Sequence, residues 1–170
     1  PHADAMIVDG SALVNSLPSR SSKTFEDYAV SVVLPAIKSL SNKYKRTDIV
    51  FDVYQSSSLK AETRLKRQHG VRRRVTSMGK IPSNWQSFTR DNDNKTELFN
   101  FLTDKIAQMC APNVVVVTKE QDAVSTHSIS LLGVAPCCHE EADTRIFVHA
   151  RHAVEEGNKV VMVNASDTDG

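Results

Sequence analysis

Asp48-Ile49-Val50-Phe51-Asp52 is a short apolar run that ends on a carboxylate, and the fold follows from reading it as a buried strand with Asp52 at its carboxyl end. Met6-Ile7-Val8 has the same form and closes on Asp9 and Gly10, a polar turn. Asn113 to Thr118, with four consecutive valines from Val114 to Val117, is the plainest strand signal in the chain, and Val160 to Val163 reads as the last strand. Helical spacing fills the intervals. From Thr24 to Lys45 the residues Phe25, Tyr28, Ala29, Val32, Val33, Ile37 and Leu40 recur on one face, with Thr24 as cap and Pro35 expected to kink or split the helix. Leu98, Phe99, Leu102, Ile106 and Met109 form a second such face. Ala142, Ile146, Phe147, Ala150 and Val154 form a third after His139, ending near Gly157. Strands alternating with helices predict an α/β chain whose mostly parallel sheet is covered on both faces, with ligands gathering beyond the carboxyl ends of the strands.

Composition sets the frame. At 170 residues, 40% apolar and 24% charged, the sequence predicts a single globular domain over residues 1–170, and no stretch approaches a membrane span. No secretory leader is visible and no membrane association is expected. Three cysteines, two of them adjacent at Cys137 and Cys138, make no disulfide framework, so an intracellular, reducing setting is expected, the nucleus included. A net charge of +1 decides nothing about nucleic acid, so any electrostatic footprint must be local. The sequence opens on Pro1 and breaks off after Asp167, Thr168, Asp169 and Gly170, which leads to the expectation of a fragment truncated at its carboxyl end.

Asp9, Asp52, Asp167 and Asp169 all stand just past expected strand ends, and Glu141 and Asp143 open an expected helix. Taken singly, aspartates after strands are turn formers and acids at helix starts suit the helix dipole. Gathered at one sheet edge they would repel unless a cation neutralised them, and oxygen ligands favour Mg²⁺ or Mn²⁺ over zinc. Two such ions activate water and clamp an in-line displacement at phosphorus. Helical geometry alone would pair Glu140 with Asp143 on one face.

The local basic footprint is Lys60, Arg64, Lys66, Arg67, Arg72, Arg73 and Arg74, opposed only by Glu62. Lys60, Arg64 and Arg67, spaced by four and three, share one face of a helix and could follow a phosphate backbone, although a charge run alone is more often a solvated face. Residues 55–95 read as this basic helix running into a long, arch-like loop. Trp85 and Phe88 in that loop are weighed as base-stacking residues against a local hydrophobic cluster, and the cluster is preferred.

Four blocks together resemble the flap-endonuclease branch of the PIN-like nucleases: MIVDGSALV (Met6 to Val14), VFDVYQSSSLKAETRLKRQ (Val50 to Gln68), HEEADTRI (His139 to Ile146) and NASDTD (Asn164 to Asp169), in the family's order. The resemblance implies a Rossmann-like, three-layer α/β/α sandwich. It implies metal roles for Asp9, Asp52, Glu141, Asp143, Asp167 and Asp169, choosing Glu141 over Glu140, and two Mg²⁺ or Mn²⁺ ions. It also implies cleavage of DNA or RNA, with Lys60 and Arg67 stabilising charge at the scissile phosphate, and Arg64, on the same helical face, is expected to help position it. Val53 replaces the glycine of the family's FDG, and Asp143 stands where a glutamate is usual. The family's duplex-holding helix-hairpin-helix element is expected beyond Gly170.

Three rival readings remain. Cys137, Cys138, His139, His149 and His152, with Cys110 or His127, suggest zinc, but the spacing is poor, and His149 and His152 are expected on the exposed or half-buried flank of their helix. A dinucleotide fold lacks G-x-G-x-x-G after the first strand. A catalytically inactive PIN-like binding domain, or a truncated gene product, is the more serious alternative.

Overall fold

Alternation along the strands decides what each face of the sheet meets. The computed structural model describes residues 4–17, 19, 22–53, 73–131, 133–135 and 142–164, with the main chain only at residues 142, 143 and 164. Strands β1 (Ala5–Asp9), β2 (Arg46–Val50), β3 (Val114–Lys119), β4 (Asp122–Ser125) and β5 (Val161–Asn164) lie in the order β4-β3-β2-β1-β5. All neighbours are parallel except the β3–β4 hairpin. The fold is therefore α/β with a mostly parallel sheet, as the sequence predicts.

Met6 and Val8 of β1, Ile49 of β2 and Val115 and Val117 of β3 enter the main core. That core is closed by α1 (Gly10–Ser16), α2 (Phe25–Tyr28), a π-helical segment (Ala29–Val33), α3 (Leu34–Lys43), α4 (Trp85–Arg90) and α5 (Asn92–Ala107). Ile7 and Val50, on the alternate positions, pack instead with Ile146 of α6 (Ala142–Glu155). Among the described residues no helix is long and apolar enough to cross a membrane.

Local chemistry explains the element ends. Thr24 and Asp27 form a reciprocal capping box at α2, each side chain accepting from the other's backbone N–H. Helical backbone continues through Pro35, from Phe25 to Lys43. The preceding turn widens to π geometry, with Leu34 N–H donating to the Ala29 carbonyl, and this absorbs the missing proline N–H and the bulk of its ring. Gly157, at φ +96°, ends α6 in a Schellman motif: Gly157 N–H donates to Val154 O and Asn158 N–H to Ala153 O.

Three elements depart from the sequence reading. Helix α1 follows directly from Asp9, α4 replaces part of the expected loop, and β4 turns back after two residues, with Glu120 at φ +52° and no glycine or asparagine to announce the turn. Helix α4 carries Trp85 and Phe88 into the core. Their rings lie 5.3 Å apart, with Trp85 5.1 Å from Tyr28 and Phe88 5.6 Å from Phe25, so they form the hydrophobic cluster.

The largest departure is the buried face of α6. Phe147 and Val154, expected in the core, are 74% and 57% exposed, whereas His149 and His152, expected on the flank, are 0% and 3% exposed. The helix is rotated because its polar residues have partners in the sheet. Arg46 Nε and NH2 donate to Asp48 Oδ1 and Oδ2 at 2.7 and 2.8 Å, His149 Nδ1 meets Asp48 Oδ2 at 2.7 Å, and Arg46 NH1 meets His152 Nδ1 at 2.8 Å. A charge-assisted network of this kind outweighs the burial of a phenylalanine ring, because any one member left unmatched in the core costs more than the ring contributes.

Two stability measurements check this arrangement. Ile146→Ala should cost about 2–5 kcal/mol in urea unfolding while Phe147→Ser stays within about 0.5 kcal/mol, and comparable losses would mean that the helix presents its other face. Asp48→Ala should cost about 3–5 kcal/mol, because it strands the buried Arg46 guanidinium; a loss under about 1 kcal/mol would show the pair to be dispensable.

Candidate functional site

Two expected metal ligands are fully described, and one residue joins them. Asp9 closes β1 and caps α1, its Oδ1 accepting from Ser11 N–H at 3.0 Å and Ala12 N–H at 3.3 Å. Asp52 stands two residues beyond β2, and its Oδ2 accepts from the Ser11 hydroxyl at 3.3 Å. Ser11 therefore holds both carboxylates, from adjacent parallel strands, at the carboxyl edge of the sheet. Each is half-buried, which strengthens their mutual field relative to open water.

Gly10 makes this meeting possible. A Cβ at position 10 would lie 2.4 Å from Phe51 Cδ1, and Phe51 is itself stacked on Phe99 with centroids 4.4 Å apart at 18°. The Phe51 N–H donates to Thr118 Oγ1 at 2.9 Å, which fixes the chain just before Asp52. Beyond it Asp52, Val53, Thr96, Asn100 and Glu120 line a small cleft rich in oxygen atoms.

The contacts of α6 give its direction. His152 meets Arg46 at the start of β2, His149 meets Asp48 midway, and Arg145 donates to the carbonyls of Glu120 and Asp122 just past the end of β3. Helix α6 thus runs antiparallel to the parallel strands, and its first turn, which contains Asp143, lies at the same carboxyl edge. Glu141 immediately precedes that turn in sequence. Strand β5 ends at Asn164 beside β1, and Asp167 and Asp169 follow it three and five residues later. The strand order reverses between β1 and β5, the kind of switch point where open α/β sheets bind ligands.

Of the basic segment, Arg73 and Arg74 are described. Arg73 N–H donates to Asn94 Oδ1 at 2.9 Å and Arg74 Nε lies 2.8 Å from Glu97 Oε1, so both are pinned to the first turns of α5, the helix whose Thr96 and Asn100 border the Asp52 cleft. Lys60, Arg64, Lys66, Arg67, Arg72, Glu141, Asp167 and Asp169 lie outside the described residues, as does the Asp143 side chain. Among the described residues no three His, Cys, Asp or Glu side chains gather to hold a metal ion. Asp9 and Asp52 are two of the six expected ligands, and their hard carboxylate oxygens fit Mg²⁺ or Mn²⁺. Of the zinc reading's residues, His149 and His152 are buried, with their Nδ1 atoms engaged by Asp48 and Arg46, while Cys137, Cys138 and His139 lie outside the described residues.

The buried polar stripe of α6 was missed by sequence reasoning. Its signal was there as Arg145, His149 and His152 at helical spacing opposite Arg46 and Asp48, which alternate on one face of a strand. Set beside known protein families, curated proteins and solved structures, the chain matches none.

Gly10→Ala should lower stability by about 1–3 kcal/mol, since the packed Phe51 ring must move to admit the methyl group. A urea midpoint equal to that of the unmodified protein would mean that the approach of Phe51 to Gly10 is not a constraint.

Proposed function

We propose that this chain is a PIN-like, metal-dependent nuclease domain of the flap-endonuclease type that hydrolyses phosphodiester bonds of DNA or RNA inside the cell. The observation that carries the reading is the meeting of Asp9 and Asp52 on Ser11 at the carboxyl edge of the sheet. Carboxylates held that near one another call for a cation, and the edge beside a switch point is where such folds keep ligands. The direction of α6 and the position of β5 favour the same edge for Glu141, Asp143, Asp167 and Asp169. The layering that goes with this reading is α/β/α, and it is supported by the two apolar clusters drawn from alternate strand residues.

Mg²⁺ or Mn²⁺ bound there would supply an activated water and offset charge at phosphorus. The chain's own part is to orient and to neutralise. Asp9 is held by two amides at the head of α1, and Asp52 by the Ser11 hydroxyl, so each carboxylate has its direction set before a ligand arrives. Lys60, Arg64 and Arg67 neutralise the phosphate, and arginine's planar fork suits it to that role. Arg73 and Arg74, anchored on α5, extend the basic surface along the strand. Binding by such a surface weakens steeply with salt.

Cleavage of labelled single-stranded, duplex and 5′-flap DNA and RNA should require Mn²⁺ or Mg²⁺, cease with EDTA, and fall by about 10²-fold or more in Asp9→Asn, Asp52→Asn and Asp167→Asn. A folded protein that binds nucleic acid and cuts none of these substrates in either metal would be a binding domain, and the nuclease reading would be wrong.

A further inference from the structure

Helix α6 touches the sheet through Ile146, Ala150 and Ala153 and through a polar stripe beside them. Arg145 and His149 are fully buried and His152 nearly so, at spacings of four and three, and each is hydrogen-bonded to a different strand position or turn. Apolar contact is non-directional and lets a helix slide, whereas hydrogen bonds fix distance and angle. The axial position of α6 is therefore set by these three side chains, and Arg145 is the one in the first turn.

We infer that Arg145 is a positioning residue for the metal edge: its guanidinium locks the first turn of α6 in register with the Asp52 cleft. The inference rests on the nuclease reading of that edge. Arg145 lies two residues from Asp143 and four from Glu141. NH2 donates to Asp122 O at 2.8 Å and NH1 to Glu120 O, the first residue of β4 and the first residue of the β3–β4 turn. Glu120 takes a positive φ of 52°, uncommon for a residue with a side chain, and it lines the same cleft as Asp52. One planar group thus ties the first turn of α6, the turn after β3 and the rim of the Asp52 cleft. Metal–oxygen distances tolerate shifts of only about 0.2 Å, so a small slide of this helix removes ligands from reach without unfolding anything.

Loss of the tie should weaken metal binding far more than it slows the reaction once metal is saturating. Arg145→Lys keeps the charge but not the fork that spans two carbonyls. Mn²⁺ binding by calorimetry, Mn²⁺ dependence of cleavage and thermal unfolding are measured on the full chain and on this variant. The expected result is a native circular dichroism spectrum, a Mn²⁺ affinity weakened about 10-fold or more, and kcat at saturating Mn²⁺ within about 3-fold of the parent. A folded variant with parental Mn²⁺ affinity overturns the inference, even if its unfolding temperature has dropped. Should Arg145→Lys not fold, two glycines inserted between Glu120 and Gln121 slacken the same tie and leave the helix intact. Raised Mn²⁺ requirement there supports the inference, and parental affinity there overturns it. Failure of the unmodified chain to bind Mn²⁺ or to cut nucleic acid defeats the nuclease reading itself, and this inference with it.

Discussion

A single buried carboxylate governs how one half of this molecule is assembled. Asp48 is fully buried in the central strand of the five-stranded sheet, where an unanswered charge would be prohibitive. Both oxygens are met by the Arg46 guanidinium two residues away on the same strand face, and one oxygen also by His149. The fork geometry makes this pair strong and directional. The hydrogen-bond pattern places a proton on His149 Nδ1, which donates to the Asp48 carboxylate. His152 fits the complementary tautomer, its Nδ1 accepting from Arg46.

The orientation of α6 follows. A helix laid over Arg46 and Asp48 must offer polar atoms at matching heights, and Arg145, His149 and His152 do so while Ile146 and Ala153 fill the gaps between them. Phe147 and Val154 are left outside. The opposite face of the sheet presents no buried charge among the described residues. There Val115, Val117 and Ile49 meet Phe25, Leu98, Leu102 and Ile106, an apolar core that accepts any well-filled packing. The two faces therefore specify the fold differently, one by volume and one by hydrogen-bond registry.

This difference explains what was legible in the sequence. The valine run of β3, the strand before Asp52, the Thr24 cap and the stop at Gly157 are written in single residues or simple periods, and each was read within a residue or two of its place. The face of α6 was misread because hydrophobic periodicity counts Phe147 and Val154 and ignores histidine, so a polar stripe satisfied from another element is invisible to it. Helix α1 was hidden by its length of seven residues, and β4 by a turn that uses Glu120 and Gln121 in place of the usual turn formers. Within the candidate site, the placement of Asp9 and Asp52 past strand ends was legible from the chain alone, whereas Ser11 as their common donor was not, because that contact spans 41 positions.

The triplet Asp9-Gly10-Ser11 shows how little sequence the edge needs. Asp9 must end a strand and begin a helix, and its carboxylate does both by accepting the first amides of α1, which also aims it along the helix axis. Gly10 must be bare because the Phe51 ring fills the space a side chain would take, and that ring, stacked on Phe99, carries the chain to Asp52. Ser11 then reaches across with its hydroxyl. Each residue would be unremarkable in a turn by itself. Together they bring two carboxylates from neighbouring strands within reach of one serine, and the same triplet both starts the first helix and builds half of the described edge. A change at any of the three acts on folding and on the geometry of the edge at once.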